Sequence, residues 1–468
     1  MSDIRLHETL RSPGPVRRLA LLLVWVTVAS GAVVFAEPAP ADFLMMGLIV
    51  LLPVIGLVAI RREHIAYLSL WLIVAACGFA AAFIAENVER ATTHTAITLY
   101  LAIASFMVAA FVARNPARHA RLILGAYTFA ATLTSLFAII GYFGLIPEAT
   151  AWFTLHQRAS GTFKDPNVFG PFLVPAIIYA LHRWIERPAR RAMLALLVLP
   201  VLIVAMLLTF SRGAWLALAL SLAVFGYASF ITAATNRHRL KLMVLAAFGV
   251  AALAGVVASA LQIDGVARLF DQRAALTQSY DIGPEGRFGG QDKAIALILA
   301  HPFGIGAREF GGRMHPEDPH NVYLSMLLNA GWLGGLTYAL IIVLTIAFLA
   351  RALMRATATR PELVVVLASL AGMASLGFFV DQDHWRHLYL LLGVGWGLMT
   401  GDRRLLRPAR VMVARRLVPE HLGLQISRRR ARIIGPTLRP MPTLVIAPTV
   451  TRRTARRLRR SARILGPA

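Results

Sequence analysis

Apolar stretches long enough to cross a bilayer recur along the chain, separated by short polar connections. They lie near 19–36, 43–60, 65–85, 96–113, 122–143, 166–182, 193–210, 214–234, 242–262, 320–350, 363–380 and 387–400, the last being short. About 20 apolar residues at roughly 1.5 Å per residue span about 30 Å of hydrocarbon. The pattern predicts an all-α integral membrane protein of about 12 transmembrane helices, with residues 1–400 as the polytopic domain. One polar insertion, 263–319, breaks the rhythm between the ninth and tenth spans. Spans that face lipid offer little beyond packing, so chemistry is to be sought in and around that loop.

Alternate connections carry the arginines. Arg17 and Arg18, Arg61 and Arg62, Arg114 to Arg121, Arg183 to Arg191, Arg237 to Lys241, Arg351 to Arg360 and the C-terminal tail fall on one side. The positive-inside rule makes that side the cytoplasm. Both termini then lie inside, and the connections at 37–42, 86–95, 144–165, 263–319 and 381–387 face outward. The N-terminus mimics a secretory signal, but the second span starts at once at Phe43, which favours an uncleaved first span.

Composition agrees: 57% of residues are hydrophobic, 15% are charged and the mean hydropathy is +0.65. The net charge of +25 raises the question of nucleic acid, and its location answers it. Residues 402–468 hold eighteen Arg against one Asp and one Glu, about +16 of the total. Such a Pro- and Arg-rich tail, 401–468, reads as a poorly ordered cytoplasmic segment that meets anionic lipid headgroups, with no specific nucleic acid as partner. The single cysteine, Cys77, lies within a span, so there is no disulfide framework. No repeat of 20 to 50 residues is evident.

Four polar constellations remain. The loop is slightly acidic overall, so its arginines are judged singly. Arg287 lies in GRFGG, ahead of an amphipathic helix that stops at His301-Pro302. A cation among glycines can approach a phosphate closely; it can equally pair with Glu285 or Asp292. Arg212, in SRG between two apolar runs, sits on the outer boundary against the positive-inside bias, either as an anion ligand or as a headgroup anchor. His320 and Asn321 stand where the loop enters the tenth span. A cap at Asp318 or just after Pro319 places His320 in the first helical turn, where a neutral imidazole can accept a hydroxyl proton or simply be structural. Lys164, Asp165 and Asn167 cluster where GTFKDPNVFGPFL (161–173) enters the sixth span, as ligands or as helix caps.

No metal motif is found: there is no HExxH and no paired CxxC, and DQDHWRH (381–387) reads better as a polar turn. Neither a P-loop nor a GxGxxG fingerprint occurs, so no cofactor is expected.

Taken in order, FKDPNVFGPFL, LTFSRGAWLAL, GR followed by AHPFGIGAREF, and PHNVYLSMLLNAGWLGG resemble the O-antigen ligase and polymerase superfamily of bacterial polysaccharide membrane glycosyltransferases, over roughly residues 160–345. The resemblance implies a GT-C-like fold in the bacterial inner membrane. It implies an enzyme that takes a glycan from an undecaprenyl-diphosphate carrier at the periplasmic face and passes it to an acceptor hydroxyl, on lipid A core or on a growing polysaccharide. It further implies that Arg212 and Arg287 hold the diphosphate while His320 serves acceptor or leaving group, without a metal. Where relatives often carry an aromatic four residues after Arg287, this chain has Gln291. A repeat-unit polymerase of the same superfamily is the alternative, and a transporter or flippase of lipid-linked oligosaccharide is the alternative of another class. The near absence of mid-span acids disfavours that last reading.

Overall fold

In the computed structural model, described over residues 14–186, 189–262, 283–355 and 358–416, the chain is built almost wholly of helices. They are α1 (Pro15–Ser30), α2 (Pro40–Val54), α3 (Arg62–Ala82), α4 (Val88–Arg114), α5 (Pro116–Tyr142), α6 (Pro147–Phe153), α7 (Pro166–Glu186) and α8 (Ala189–Leu208). After these come α9 (Arg212–Thr232), α10 (Asn236–Ala260), α11 (Arg287–Ala300), α12 (Val322–Leu353), α13 (Arg360–Leu376) and α14 (Arg386–Arg416). A two-residue hairpin, β1 (Thr154–Leu155) with β2 (Arg158–Ala159), lies between α6 and α7. The described residues up to 411 form one compact unit. Residues 263–282 of the long loop and the tail beyond 416, with the expectations placed on them, lie outside the described residues.

Seven of the described helices, α3, α4, α5, α7, α9, α10 and α12, are long and apolar enough to cross a membrane. Of the others expected as spans, α1, α2 and α13 are shorter, at 16, 15 and 17 residues, and one reason is visible at α1. Its chain leaves the helix at Gly31, and Val34 donates instead to the carbonyl of Thr162 at 3.0 Å, a local bridge that hydrophobicity does not announce.

Small residues let the helices approach. Gly393, Gly397 and Gly401, four apart on α14, lie against α4 and the start of α5, and a Cβ at any of them would strike Ser105, Val112 or Pro116. Gly372 on α13 is similarly closed by Ala217 and Ser221 of α9. In the centre, Trp71 meets Tyr389 at 5.0 Å and Tyr338 at 5.9 Å, while Tyr67 stacks on Trp396 at 4.9 Å. These rings join α3, α12 and α14. The bidentate pair between Asp42 and Arg386, 2.7 Å on both arms, fastens the start of α2 to the start of α14.

The tenth predicted span is not straight. Gly331 in α12 has φ +66, a left-handed conformation open to glycine and strained for other residues. The chain after α11 exploits the break: Trp332 donates its backbone N–H to Pro302 at 2.9 Å, and Ile305 donates to Leu328 at 2.8 Å. The Trp332 indole reaches the Ile298 carbonyl at 2.8 Å. The kink's unsatisfied backbone groups are thereby paired, and α11 is held against α12. That fixes where Arg287 stands relative to His320.

Candidate functional site

The polar segment 283–321 is tied down residue by residue. Helix α11 begins at Arg287 itself, five residues before the amphipathic stretch that starts at Asp292, after Gly286 in extended conformation. Gly290 faces the buried ring of His315, where a Cβ would come within 2.8 Å. Gln291 donates its amide to the Pro319 carbonyl at 3.2 Å. Arg308, at φ +64, pairs with Asp318 at 2.7 Å. Buried Glu309 accepts from the Asn87 backbone at 2.9 Å and from Arg313, which also reaches Glu86.

His320 does not sit in the first turn of α12. Its φ of +50 is left-handed and cannot join the helix. The cap is Asn321, whose side-chain oxygen accepts from Tyr323 N at 3.1 Å and Leu324 N at 3.3 Å. Expectation and structure differ because the Pro319 carbonyl is already engaged by Gln291 and Asp318 by Arg308, so neither caps the helix. His320 is held just outside the helix by its own backbone: its N–H donates to Asp381 at 3.0 Å, and its carbonyl accepts from Arg287 Nη2 at 3.3 Å. Arg287 also donates to the Phe379 carbonyl and lies over the Phe379 ring at 6.0 Å.

The other predicted residues gather at the starts of α7 and α9. Asp165 caps α7, accepting from Asn167 N at 2.7 Å. The Asn167 side chain accepts from Arg158 Nη2 at 2.8 Å, and Arg158 Nε reaches the Thr209 carbonyl at 2.7 Å. Lys164 is exposed beside them. Ser211 caps α9 through Ala214 N at 3.4 Å, which leaves Arg212 half-buried in the first helical turn. Gly170 of α7 touches this cap so closely that a Cβ would come within 2.6 Å of Ala214.

The connection from α13 to α14 joins both groups. Gly213 abuts Leu376, and Phe379 donates its N–H to the Leu376 carbonyl at 2.8 Å. Val322 donates to Gly377 at 2.8 Å. The starts of α9, α11 and α12 therefore each touch the end of α13 or the connection after it, and the start of α7, with Arg158 beside it, lies against the start of α9. Helix N-termini and guanidinium groups both favour anions. The arrangement suits a ligand with several negative oxygens.

Beneath His320 lies a polar floor that motif reading passed over. Burial raises the Asp381 carboxyl to about 6, and neighbouring Asp383 pushes the same way against the Ser325 hydrogen bond. For Asp383 burial acts upward too, but His384 and His94 together hold it well below the usual carboxylate range. Burial lowers the His384 imidazole to about 4, keeping it neutral at pH 7. His94 bonds Asp383 at 2.8 Å and stacks on His384 at 3.9 Å. The donor atoms of these three lie within 4.8 Å of one another, a set that could hold a metal ion. Sequence reading had singled out only the 381–387 part, since His94 stands almost three hundred residues away. The adjoining cavity of about 20 Å³, lined by Arg308, Ser325, Asp381 and Asp383, has room for a water but not for a phosphate or a sugar. Arg158 and Glu317 were also missed, and only the general presence of charge near the motifs could have drawn attention to them.

Residues 197–339 match the family model described as O-antigen ligase. Arg212, Arg287 and His320 fall within the matched stretch, whereas Lys164, Asp165 and Asn167 precede it. Comparison with curated proteins gives no match.

Proposed function

We propose that this chain, of which residues 197–339 match the family model described as O-antigen ligase, transfers a glycan from an undecaprenyl-diphosphate carrier to an acceptor hydroxyl at the periplasmic face of the bacterial inner membrane. The observation that carries the reading is the hydrogen bond from the Arg287 guanidinium to the His320 carbonyl at 3.3 Å, beside a turn that the starts of α11 and α12 both touch. It supports a reading in which a cation for phosphate and a proton acceptor work side by side.

The chemistry follows from the charges. The acceptor oxygen attacks the anomeric carbon while its proton passes to the His320 imidazole. The bond from that carbon to the diphosphate oxygen breaks, and the electron pair leaves with the diphosphate. Arg212 and Arg287 meet the growing negative charge, a task that metal ions perform in many phosphate-releasing enzymes, and the positive helix ends add to it. Direct displacement inverts the anomeric configuration. Asn321, Asp165 and Asn167 hold the helix starts that present these groups, and exposed Lys164 widens the basic rim. Twelve spans with both termini in the cytoplasm put this turn outside, and the Arg-rich tail then meets anionic headgroups on the inside.

A ligase acting on lipid A core and a polymerase extending a repeat unit share this donor chemistry and differ in acceptor. The test is complementation of a deletion strain with Arg287→Ala and His320→Ala. The expected result is loss of polymer-capped product with lipid-linked donor accumulating on the outer leaflet. Donor retained on the inner leaflet would instead favour a flippase and sink the proposal.

A further inference from the structure

We propose that Glu317 is the positioning residue of His320, orienting its ring so that Nδ1 is the atom that takes the acceptor's proton. This rests on the reading of His320 as the base. Oε2 of Glu317 lies 2.9 Å from Nε2 of His320. An ionised carboxylate only accepts, so the hydrogen of that bond belongs to Nε2, and in a neutral imidazole the lone pair is left on Nδ1. When Nδ1 takes the proton from the hydroxyl, the carboxylate faces the imidazolium that results.

The pairing is not a chance meeting of two mobile surface groups. The segment carrying both is pinned at every residue from 317 to 321. The Glu317 N–H meets His315 Nδ1 at 3.3 Å, Arg308 holds Asp318 at 2.7 Å, and Gln291 holds the Pro319 carbonyl at 3.2 Å. Asp381 and Arg287 take the two backbone groups of His320 at 3.0 and 3.3 Å, and Asn321 is locked as the cap. Gly311 belongs to the same design, since a Cβ there would collide with Asp318. With backbone positions fixed on both sides, the remaining freedom is the rotation of the His320 ring, and Glu317 removes it. The side chains are 38% and 64% exposed, so water weakens the charge interaction and orientation is the larger effect.

The test uses the full-length protein in proteoliposomes with lipid-linked donor and acceptor. Glu317→Ala removes the acceptor of the Nε2 hydrogen, whereas Glu317→Gln keeps an oxygen there without the charge. Expected is a roughly 5- to 20-fold fall in kcat for Glu317→Ala at unchanged donor KM, because an exposed orienting group contributes less than a buried one, with Glu317→Gln recovering most of the loss. An apparent Tm equal to that of the parent shows that the fold is intact. If Glu317→Ala leaves kcat unchanged, or raises donor KM at constant kcat, while His320→Ala abolishes transfer, the positioning role is wrong and the base assignment stands. Full activity in His320→Ala overturns both.

Discussion

The carbonyl oxygen of His320 accepts a hydrogen bond from Nη2 of Arg287 at 3.3 Å across 33 residues of sequence. The same guanidinium reaches the Phe379 carbonyl, so Arg287 holds two backbone segments and still presents a cation at the start of α11. Lysine carries the charge without the planar fork and cannot keep both carbonyls while facing a phosphate. Arg287→Lys is expected to lower transfer by about 10- to 100-fold, on the scale of losing one charge-stabilising donor, at unaltered abundance in the membrane. Initial rates with lipid-linked donor check this.

Asn321, a candidate substrate-binding residue by its place beside His320, caps α12. Asn321→Ala is expected to destabilise by about 1 kcal/mol, the usual worth of an N-cap, seen as a lower apparent Tm in detergent. Asn321→Asp restores an N-cap oxygen and should restore both stability and most of the transfer rate. Failure of Asp to restore transfer while restoring Tm would return Asn321 to the list of groups that touch substrate.

Asp381 predicts a dependence on pH. Its folded value is raised from 3.8 to about 6 by burial. Above about 6 the carboxylate is charged in both states and the folded state bears the cost of burying it. As pH falls, the folded state binds a proton that the unfolded chain takes up only near 3.8, so the contribution of this group to stability grows on acidification and is complete below that value. Asp381→Asn should therefore raise the apparent Tm at pH 8, by at most about 3 kcal/mol of stability at about 1.4 kcal/mol per pKa unit, and the gain should shrink at pH 5. Thermal unfolding of both proteins at the two pH values decides.

The Asp42–Arg386 pair is a separate fastening. Arg386→Ala leaves the Asp42 carboxylate, 8% exposed, without its bidentate partner. Breaking such a pair costs about 3–5 kcal/mol, while replacing both members by apolar or neutral groups costs far less. The double variant Asp42→Asn, Arg386→Met should recover most of the Tm lost by Arg386→Ala. Equal Tm losses in the single and double variants would show that packing, not charge, is at stake.

Much of this protein was readable before any coordinates. Apolar runs and Arg-rich turns mark a helical membrane protein, because hydrocarbon leaves unbroken helices as the simple way to pair a backbone. Arg212, Arg287 and His320 stand out because polar groups among glycines and prolines at span boundaries are locally conspicuous. Local conspicuousness does not carry pairing information. Asp165 and Asn167 look equally like ligands or caps in sequence, and only hydrogen-bond geometry shows that Asp165 caps α7 while Asn167 accepts from Arg158.

What the amino-acid sequence determined by itself is the class of the protein, the membrane-length helices and the short list of polar residues that could do chemistry, since these depend on periodicity and on neighbours along the chain. Tertiary structure decided the rest. The break at Gly331, the anchoring of Pro319 and His320, and the meeting of His94 with Asp383 all arise from groups far apart in sequence that satisfy one another's backbone or charge in a poorly hydrated interior. His320 stands outside its helix for the same reason: Asp381 and Arg287 hold it there, and neither lies within thirty residues of it.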